Sequence, residues 1–297
     1  IILIYGPTAS GKSKFAVDLA KKTKGEIINA DSMQIYKELR ILSARPLKKD
    51  YQKIRHHLYG TESAKKKFST GDWLNLVNKK ILEIKERKKV PILVGGTGLY
   101  FKAITEGLVN IPNIPHNCRK KIRSLHEEIG AKNLFSRLIK IDPLSKNYLN
   151  SSDSQRIIRA YEVKTFTKKS LYDWFKKTSS AYEEKDFFKI YIDFPRKELI
   201  SKINSRTEKM IKRGAINEVK KFIKLKVIKN KSVNKAIGIN EIREFLDKKK
   251  ELTEIKEKIS IKTRQYAKRQ STWARGNMNK WFKLQSKDLN KFLKKIK

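Results

Sequence analysis

The sequence predicts an α/β fold built on a parallel sheet, and three observations carry that prediction. An apolar run, Ile1–Tyr5, leads directly into Gly6-Pro7-Thr8-Ala9-Ser10-Gly11-Lys12-Ser13, the pattern G-x-x-x-x-G-K-S, and then into Phe15, Ala16, Leu19 and Ala20 at helical spacing. Strand, glycine loop and helix in that order is the context in which this pattern forms a phosphate-binding loop. Apolar strands then alternate with amphipathic helices over the first hundred residues. From Pro112 and Pro115 to about Lys185 the pattern becomes mostly helical before strand character returns. These features predict a P-loop-containing nucleoside triphosphate hydrolase-like parallel sheet core with a helical insertion domain. The core is expected over 1–112 and 187–297, with a basic helical C-terminal region, and the insertion over 113–186.

Each element follows from its pattern. Glu26–Asn29 reads as a second strand, ending at Ala30-Asp31-Ser32. Asp72–Lys85 is a helix, because Trp73, Leu74, Val77, Ile81 and Ile84 share one face. Pro91–Val94 is a third buried strand, closed by Gly95-Gly96-Thr97-Gly98. Strand ends carrying Gly, Asp and Thr belong to the carboxyl edge of a parallel sheet, where ligands bind in such folds. Gly130 and Asp142-Pro143 mark turns in the insertion, and Lys189–Asp193 is a further strand. Beyond it only helices are expected, including Arg196–Arg213, stopped by Gly214, and a long one over Leu252–Trp273.

Length and charge bound the function. A chain of 297 residues can hold two domains, or one with an insertion. Lys and Arg number 71 against 30 Asp and Glu, a formal charge of +41. That excess points to a polyanion, either nucleic acid or an acidic membrane face. Abundant Lys, Ile and Asn also fit a genome rich in A and T, so charge alone does not establish a nucleic-acid partner. From Lys262 onward there are 12 basic residues and one acidic residue, Asp288, interleaved with Trp273, Trp281 and Phe282. Basic residues among aromatics suit an RNA surface, whereas the same aromatics could be core residues of the final helices. Cys118 is the only cysteine, which excludes an intrachain disulfide and suggests a reducing compartment. No stretch approaches the roughly 20 apolar residues of a membrane span, and with the strand opening the sequence no signal peptide is expected. A cytoplasmic protein, acting as a monomer away from membranes, is expected. His56-His57 reads as structural, since adjacent histidines diverge and no Cys or His cluster joins them.

The loop carries the chemistry. Its glycines let backbone N–H groups face an anion, and the following helix N-terminus adds partial positive charge. Lys12 would reach outer phosphate oxygens, and the Ser13 hydroxyl would ligate Mg²⁺. A phosphate or diphosphate ligand follows, but the loop alone leaves an NTPase, a small-molecule kinase and a prenyl transferase open.

Further motifs narrow the choice. GPTASGKS, DSMQIY (Asp31–Tyr36), PILVGGTGLY (Pro91–Tyr100), DSQRIIRAYE (Asp153–Glu162) and TRQYAKRQSTWAR (Thr263–Arg275) occur in this order. Together they resemble the bacterial tRNA dimethylallyltransferases, or tRNA isopentenyltransferases, over essentially the whole chain. The resemblance implies transfer of a dimethylallyl group from its diphosphate to the exocyclic amine of the adenosine 3′ to a tRNA anticodon. The donor diphosphate would lie on Gly6, Pro7, Thr8, Ala9, Ser10, Gly11, Lys12 and Ser13, with Thr8 as an added hydroxyl donor and Mg²⁺ held partly by Ser13. By the family pattern Arg206 lies over the same diphosphate; without it, Arg206 reads as a solvated helix arginine. Asp31 matches the family's general base, although Asp-Ser here also fits a helix N-cap or a Mg²⁺-linked carboxylate. Asp31, Ser32, Met33, Gln34 and Thr97 would line the pocket for the target base and its neighbour.

The resemblance also assigns contacts to the tRNA anticodon stem-loop. They are Arg119, then Gln155, Arg156, Ile157, Ile158 and Arg159, then Lys235, Ala236, Ile237, Gly238, Ile239 and Asn240. Lys268, Arg269, Gln270, Thr272, Trp273 and Arg275 complete the set. For Gln155–Arg159, a plain amphipathic helix is the competing reading. Three departures stand out. Ser43 and Arg45 occupy places where the family usually has Thr and Lys, and Ile239 and Asn240 replace an aromatic and a Lys. The segment before Arg119 lacks the acidic residue commonly seen there. Rival functions are a metabolite kinase, a non-enzymatic RNA-binding protein, and an enzyme that prenylates free adenine nucleotides. The basic C-terminal segment, the intact Lys12, Ser13, Asp31 and Arg206, and the motif Asp153–Glu162 respectively disfavour them.

Overall fold

A computed structural model of the chain describes residues 1–176, 178–228 and 231–296. The chain divides into two compact units, Ile1–Ala103 with Tyr182–Lys297, and Ile104–Ala181. In the first unit β1 (Ile2–Tyr5) feeds α1 (Lys12–Lys22), followed by β2 (Gly25–Asn29), β3 (His56–His57), α2 (Thr70–Glu86) and β4 (Val90–Gly95). Helix α3 (Gly98–Glu106) leads to the second unit, which holds α4 (His116–Ile141), α5 (Ser154–Thr167) and α6 (Leu171–Phe175). The first unit resumes with β5 (Phe188–Asp193), α7 (Arg196–Lys212), α8 (Ala215–Lys224), α9 (Ile239–Leu246) and α10 (Leu252–Asn277). Strand β6 (Phe282–Gln285) and α11 (Leu289–Lys295) end it.

The six strands form one sheet in the order β3-β2-β4-β1-β5-β6, and every paired neighbour runs parallel. Register places Tyr5 beside Gly95 on one side and Tyr191 on the other, so β1 and β4 end level while β5 runs on to Asp193. The chain leaves that edge at Gly6, Ala30, Gly96 and Phe194, which gathers four loops above the central strands. The centre is apolar throughout: Leu3, Ile4, Ile27, Ile28, Ile92, Leu93 and Ile190 are fully buried. Helix α1 lays Phe15, Ala16, Leu19 and Ala20 on this surface. Helix α2 starts in a capping box, with the Asp72 N–H donating to Ser69 Oγ at 3.2 Å and the Ser69 N–H to Asp72 Oδ2 at 2.8 Å. It buries Trp73, Val77, Ile81 and Ile84.

The expectation of helices alone after Asp193 is corrected by β6, which pairs with β5 from Ile190↔Phe282 to Asp193↔Gln285. Only Leu284 of β6 is buried, because an edge strand needs one apolar face and this one is short. His56-His57 also forms an edge strand, on β2. His57 Nε2 lies 2.7 Å from Glu26 and His56 stacks on Tyr51 at 3.8 Å, so both rings serve the structure.

The second unit is a small helical body packed around Leu134, Leu138, Ile157, Ala160 and Val163. Gly130, at φ 75°, breaks α4 into two helical stretches, a conformation that favours glycine. Among the described residues, no helix is long and apolar enough to cross a membrane.

Candidate active site at the carboxyl edge of the sheet

The loop between β1 and α1 curls back on itself through left-handed backbone at Ala9 (φ 63°) and Gly11 (φ 80°). It is held on both sides. Lys12 Nζ donates to Pro7 O at 3.1 Å, and Arg206 Nη1, from α7, donates to Thr8 Oγ1 at 2.8 Å. Burial lowers Lys12 to about 8; Asp31 draws it back up and Arg206 pushes it further down. Burial likewise lowers Arg206, with Asp31 opposing. Two cations and one carboxylate, each half-buried, therefore share this space. Ser10 Oγ is buried without a hydrogen-bond partner among the described residues.

Asp31 follows β2 and is fixed by its neighbour two residues back. The Asp31 N–H donates to Asn29 Oδ1 at 2.9 Å, while Asn29 Nδ2 donates to Asp31 O at 2.9 Å and Leu58 O at 3.0 Å. Asn29 is completely buried, so the backbone of Asp31 is clamped from both ends. Its Oδ1 accepts the Met33 N–H at 2.9 Å. The helix-cap alternative does not hold, because residues 32–35 form turns rather than a helix. Thr97, after β4, accepts the Ser32 N–H at 2.9 Å. The Tyr266 hydroxyl bonds Thr97; burial and then Asp31 raise its pKa.

One cavity of about 460 Å³ takes in Thr8 to Lys14 of the loop, Asp31 to Gln34, Arg206, Lys235, Ile237, Tyr266 and Arg269, while Thr97 and Asn29 support its wall from behind without lining it. Leu42 to Ala44 form part of its wall. Glu218 holds the preceding turn by accepting the N–H groups of Arg40, Ile41 and Leu42 at 2.8–2.9 Å. Lys268 and Arg275 instead line a neighbouring cavity of about 730 Å³ beside β5 and β6. Lys268, Arg269, Thr272 and Arg275 are exposed on α10, and Asn240 is exposed on α9. In the second unit Gln155 and Arg156 are exposed, and Arg156 pairs with Asp153 at 3.3 Å. Glu162, 3% exposed, draws Arg123 to 3.4 Å and Arg159 to 3.7 Å. Burial lowers the pKa of Arg159, Glu162 opposes this, and Arg119 adds to it; the Arg119 Nε is buried without a partner among the described residues.

Several residues expected to touch RNA turn toward the protein interior. Ile157 and Ile158 belong to the helical core of the second unit, and Ile239 is buried. Gly238 accommodates Leu42, whose Cδ2 would lie 2.6 Å from an added Cβ. Trp273 packs on Tyr5 at 5.7 Å and against Gly98. Trp281 packs edge-on to Phe101 at 5.6 Å, so it too is a packing residue, while Phe282 is exposed. Gln270 is buried, with Oε1 accepting the Thr8 N–H and Nε2 donating to Gly96 O, both at 2.8 Å. A contiguous motif on a helix has an inner face as well as an outer one, and these residues occupy the inner one. Arg45 spends its guanidinium on the carbonyls of Tyr36 and Lys37 at 2.9 and 3.3 Å. Sequence reasoning missed Asn29 and Glu218, whose partners are backbone groups with no sequence signal. Tyr266 was visible only as one letter of a motif.

The family model described as IPP transferase matches residues 34–277. The tRNA dimethylallyltransferase of Pelagibacter ubique is 54% identical over 297 residues, covering 100% of this chain and 95% of the relative. That of Rhizobium etli is 43% identical over 279 residues, 94% of each chain. The crystal structure of the tRNA isopentenylpyrophosphate transferase of Bacillus halodurans superposes with a TM-score of 0.71 at 31% identity, covering 99% of this chain and 94% of that one. A eukaryotic dimethylallyltransferase acting on tRNA gives 0.83 at 26% identity, covering 98% and 75% respectively. With a family model across most of its length and relatives aligned end to end, this chain belongs to the tRNA dimethylallyltransferase family.

Proposed function

We propose that the protein transfers a dimethylallyl group from dimethylallyl diphosphate to the exocyclic 6-amino group of the adenosine 3′ to the anticodon, tRNA position 37, releasing diphosphate. One observation supports it above the others: the phosphate loop, the Arg206–Thr8 pair and the clamped Asp31 share a single cavity. The allylic C–O bond breaks as a C–N bond forms, and the amine loses one proton. Lys12, Arg206 and the loop N–H groups supply fixed positive charge where the leaving diphosphate gains negative charge. The hydroxyl of Thr8, accepting from Arg206, keeps its own proton for a phosphate oxygen. Asp31 takes the amine proton through the carboxylate oxygen that Met33 leaves free.

The donor set fits Mg²⁺. Among the described residues no three His, Cys, Asp or Glu side chains group to hold a metal, so an ion here would take Ser13 Oγ and otherwise substrate and water oxygens, as Mg²⁺ does beside phosphates. When bound it would neutralise part of the diphosphate charge.

An adenine in the anticodon loop must leave its stack to react, at a cost of roughly a few kcal/mol. Exposed Lys235, Lys268, Arg269 and Arg275 in the first unit, and exposed Arg156 with half-buried Arg159 in the second, are the cations that would offset it through the RNA backbone. Such a substrate and a lone Cys118 suit a cytoplasmic enzyme. The rival kinase reading is separated by melting the protein with each ligand. Dimethylallyl diphosphate at about 100 times its Kd should add about 2.7 kcal/mol of stability. Stabilisation by ATP alone would favour the kinase.

A further inference from the structure

The buried amide of Gln270 ties the phosphate loop to the loop after β4, and we infer that Gln270 is a positioning residue for the donor diphosphate rather than an RNA contact. This rests on the reading of Gly6–Ser13 as the diphosphate site. Three bonds define the latch. Gln270 Oε1 accepts the Thr8 N–H at 2.8 Å, Nε2 donates to Gly96 O at 2.8 Å, and the Gln270 carbonyl accepts the Tyr5 hydroxyl at 3.0 Å. The side chain fills the space between neighbouring strand ends so closely that a Cβ on Gly96 would lie 2.1 Å from Nε2. Only 4% of the residue is exposed, whereas Lys268 and Arg269 beside it on α10 face solvent.

The loop needs such a hold. Ala9, next to Thr8, carries a side chain at φ 63°, a conformation that persists only where the surroundings enforce it. Thr8 is gripped at its backbone by Gln270 and at its hydroxyl oxygen by Arg206. That double grip leaves the hydroxyl proton as the one free donor of the residue. The same amide keeps Gly96 in place beside Thr97, on which Ser32 rests. A glutamine suits the slot because it offers one acceptor to an N–H and one donor to a carbonyl; a carboxylate offers two acceptors, and a thioether offers no strong group.

Two variants, Gln270→Met and Gln270→Glu, test this with donor and anticodon stem-loop varied separately from about pH 6 to about pH 9. Gln270→Met should raise the donor KM by about 10- to 100-fold, the effect of leaving buried partners unsatisfied, with the stem-loop KM unchanged. Gln270→Glu can donate to Gly96 only when protonated, and burial raises the pKa of such a carboxyl. Its donor KM should therefore approach the wild-type value at low pH and rise as the proton is lost, while the ratio of Gln270→Met to wild type stays flat. A merely structural role would lower the melting temperature without a Gln270→Glu to wild-type ratio of donor KM that follows one proton. Donor KM values at the wild-type level in both variants, or a loss confined to the stem-loop, would overturn the inference. If Gln270→Met fails to fold, a ratio of Gln270→Glu to wild-type donor KM that does not change with pH overturns it alone. Lys12→Ala, measured alongside, separates the layers. If it too keeps donor affinity, the loop reading falls and this inference with it; if it alone loses affinity, only the inference falls.

Discussion

Raising the pH should strip the phosphate loop of its lysine charge well before ordinary lysines titrate. Burial holds Lys12 near 8 instead of 10.5, Asp31 only partly restoring it and Arg206 lowering it further. On the proposed reading the protonated form holds the donor diphosphate, and a lowered pKa means that this form is lost as pH rises through 8, so donor capture should weaken on the alkaline side. At pH 9 about one tenth of the free enzyme would keep the charge, against more than nine tenths for an unshifted lysine. The kcat/KM for dimethylallyl diphosphate should thus fall about tenfold between pH 7 and pH 9. No other group supplies this limb: the donor is already ionised, and the Arg206 guanidinium stays charged. The kcat itself should vary less, since bound diphosphate favours protonated Lys12. Steady-state rates with donor varied at saturating anticodon stem-loop give the profile, and Lys12→Arg should abolish its alkaline limb whatever its absolute rate. A wild-type profile flat to pH 9, or an unchanged limb in Lys12→Arg, would refute the reasoning.

Asp31→Ala should lower kcat by roughly 10²–10⁴ with donor KM nearly intact; a collapse of donor affinity with little change in turnover would make Asp31 a metal carboxylate instead. Arg159→Ala and Arg275→Ala should weaken stem-loop binding and reduce the slope of log affinity against log salt by roughly 0.7–0.9 each, with Lys294→Ala as an indifferent control. Equal effects in all three would leave only a generally basic protein. Glu26 is held low in pKa because Arg87 and His57 outweigh the opposing effect of its burial. A lowered carboxyl contributes stability that is present above its unfolded pKa of about 4.5 and lost as pH falls below it. Glu26→Gln should cost about 1–3 kcal/mol in urea unfolding at neutral pH and flatten that acid dependence, without changing kcat.

What the sequence made legible was whatever is local. The phosphate loop lies between β1 and α1 as expected, because glycine spacing and flanking periodicity are contiguous signals. The strands β2, β4 and β5 were readable as apolar runs buried on both faces. β6 was not, since Phe282 and Lys283 are exposed and its pairing partner lies about ninety residues back along the chain. Motif resemblance picked out segments but could not say which side of a helix faces out. Ile157 and Ile158 on α5, and Gln270 and Trp273 on α10, turn inward while their neighbours Arg156 and Arg269 turn outward. Asn29 and Glu218 act on backbone N–H and carbonyl groups, whose positions exist only after folding.

The central claim is the reaction, and its most direct measurement is nucleoside analysis of tRNA incubated with the protein, dimethylallyl diphosphate and Mg²⁺. The account predicts a dimethylallyl group on the 6-amino nitrogen of the adenosine 3′ to the anticodon, one diphosphate released per group transferred, and neither product with Asp31→Ala at comparable times. Unmodified tRNA, or prenylation of free AMP in preference to tRNA, would contradict it.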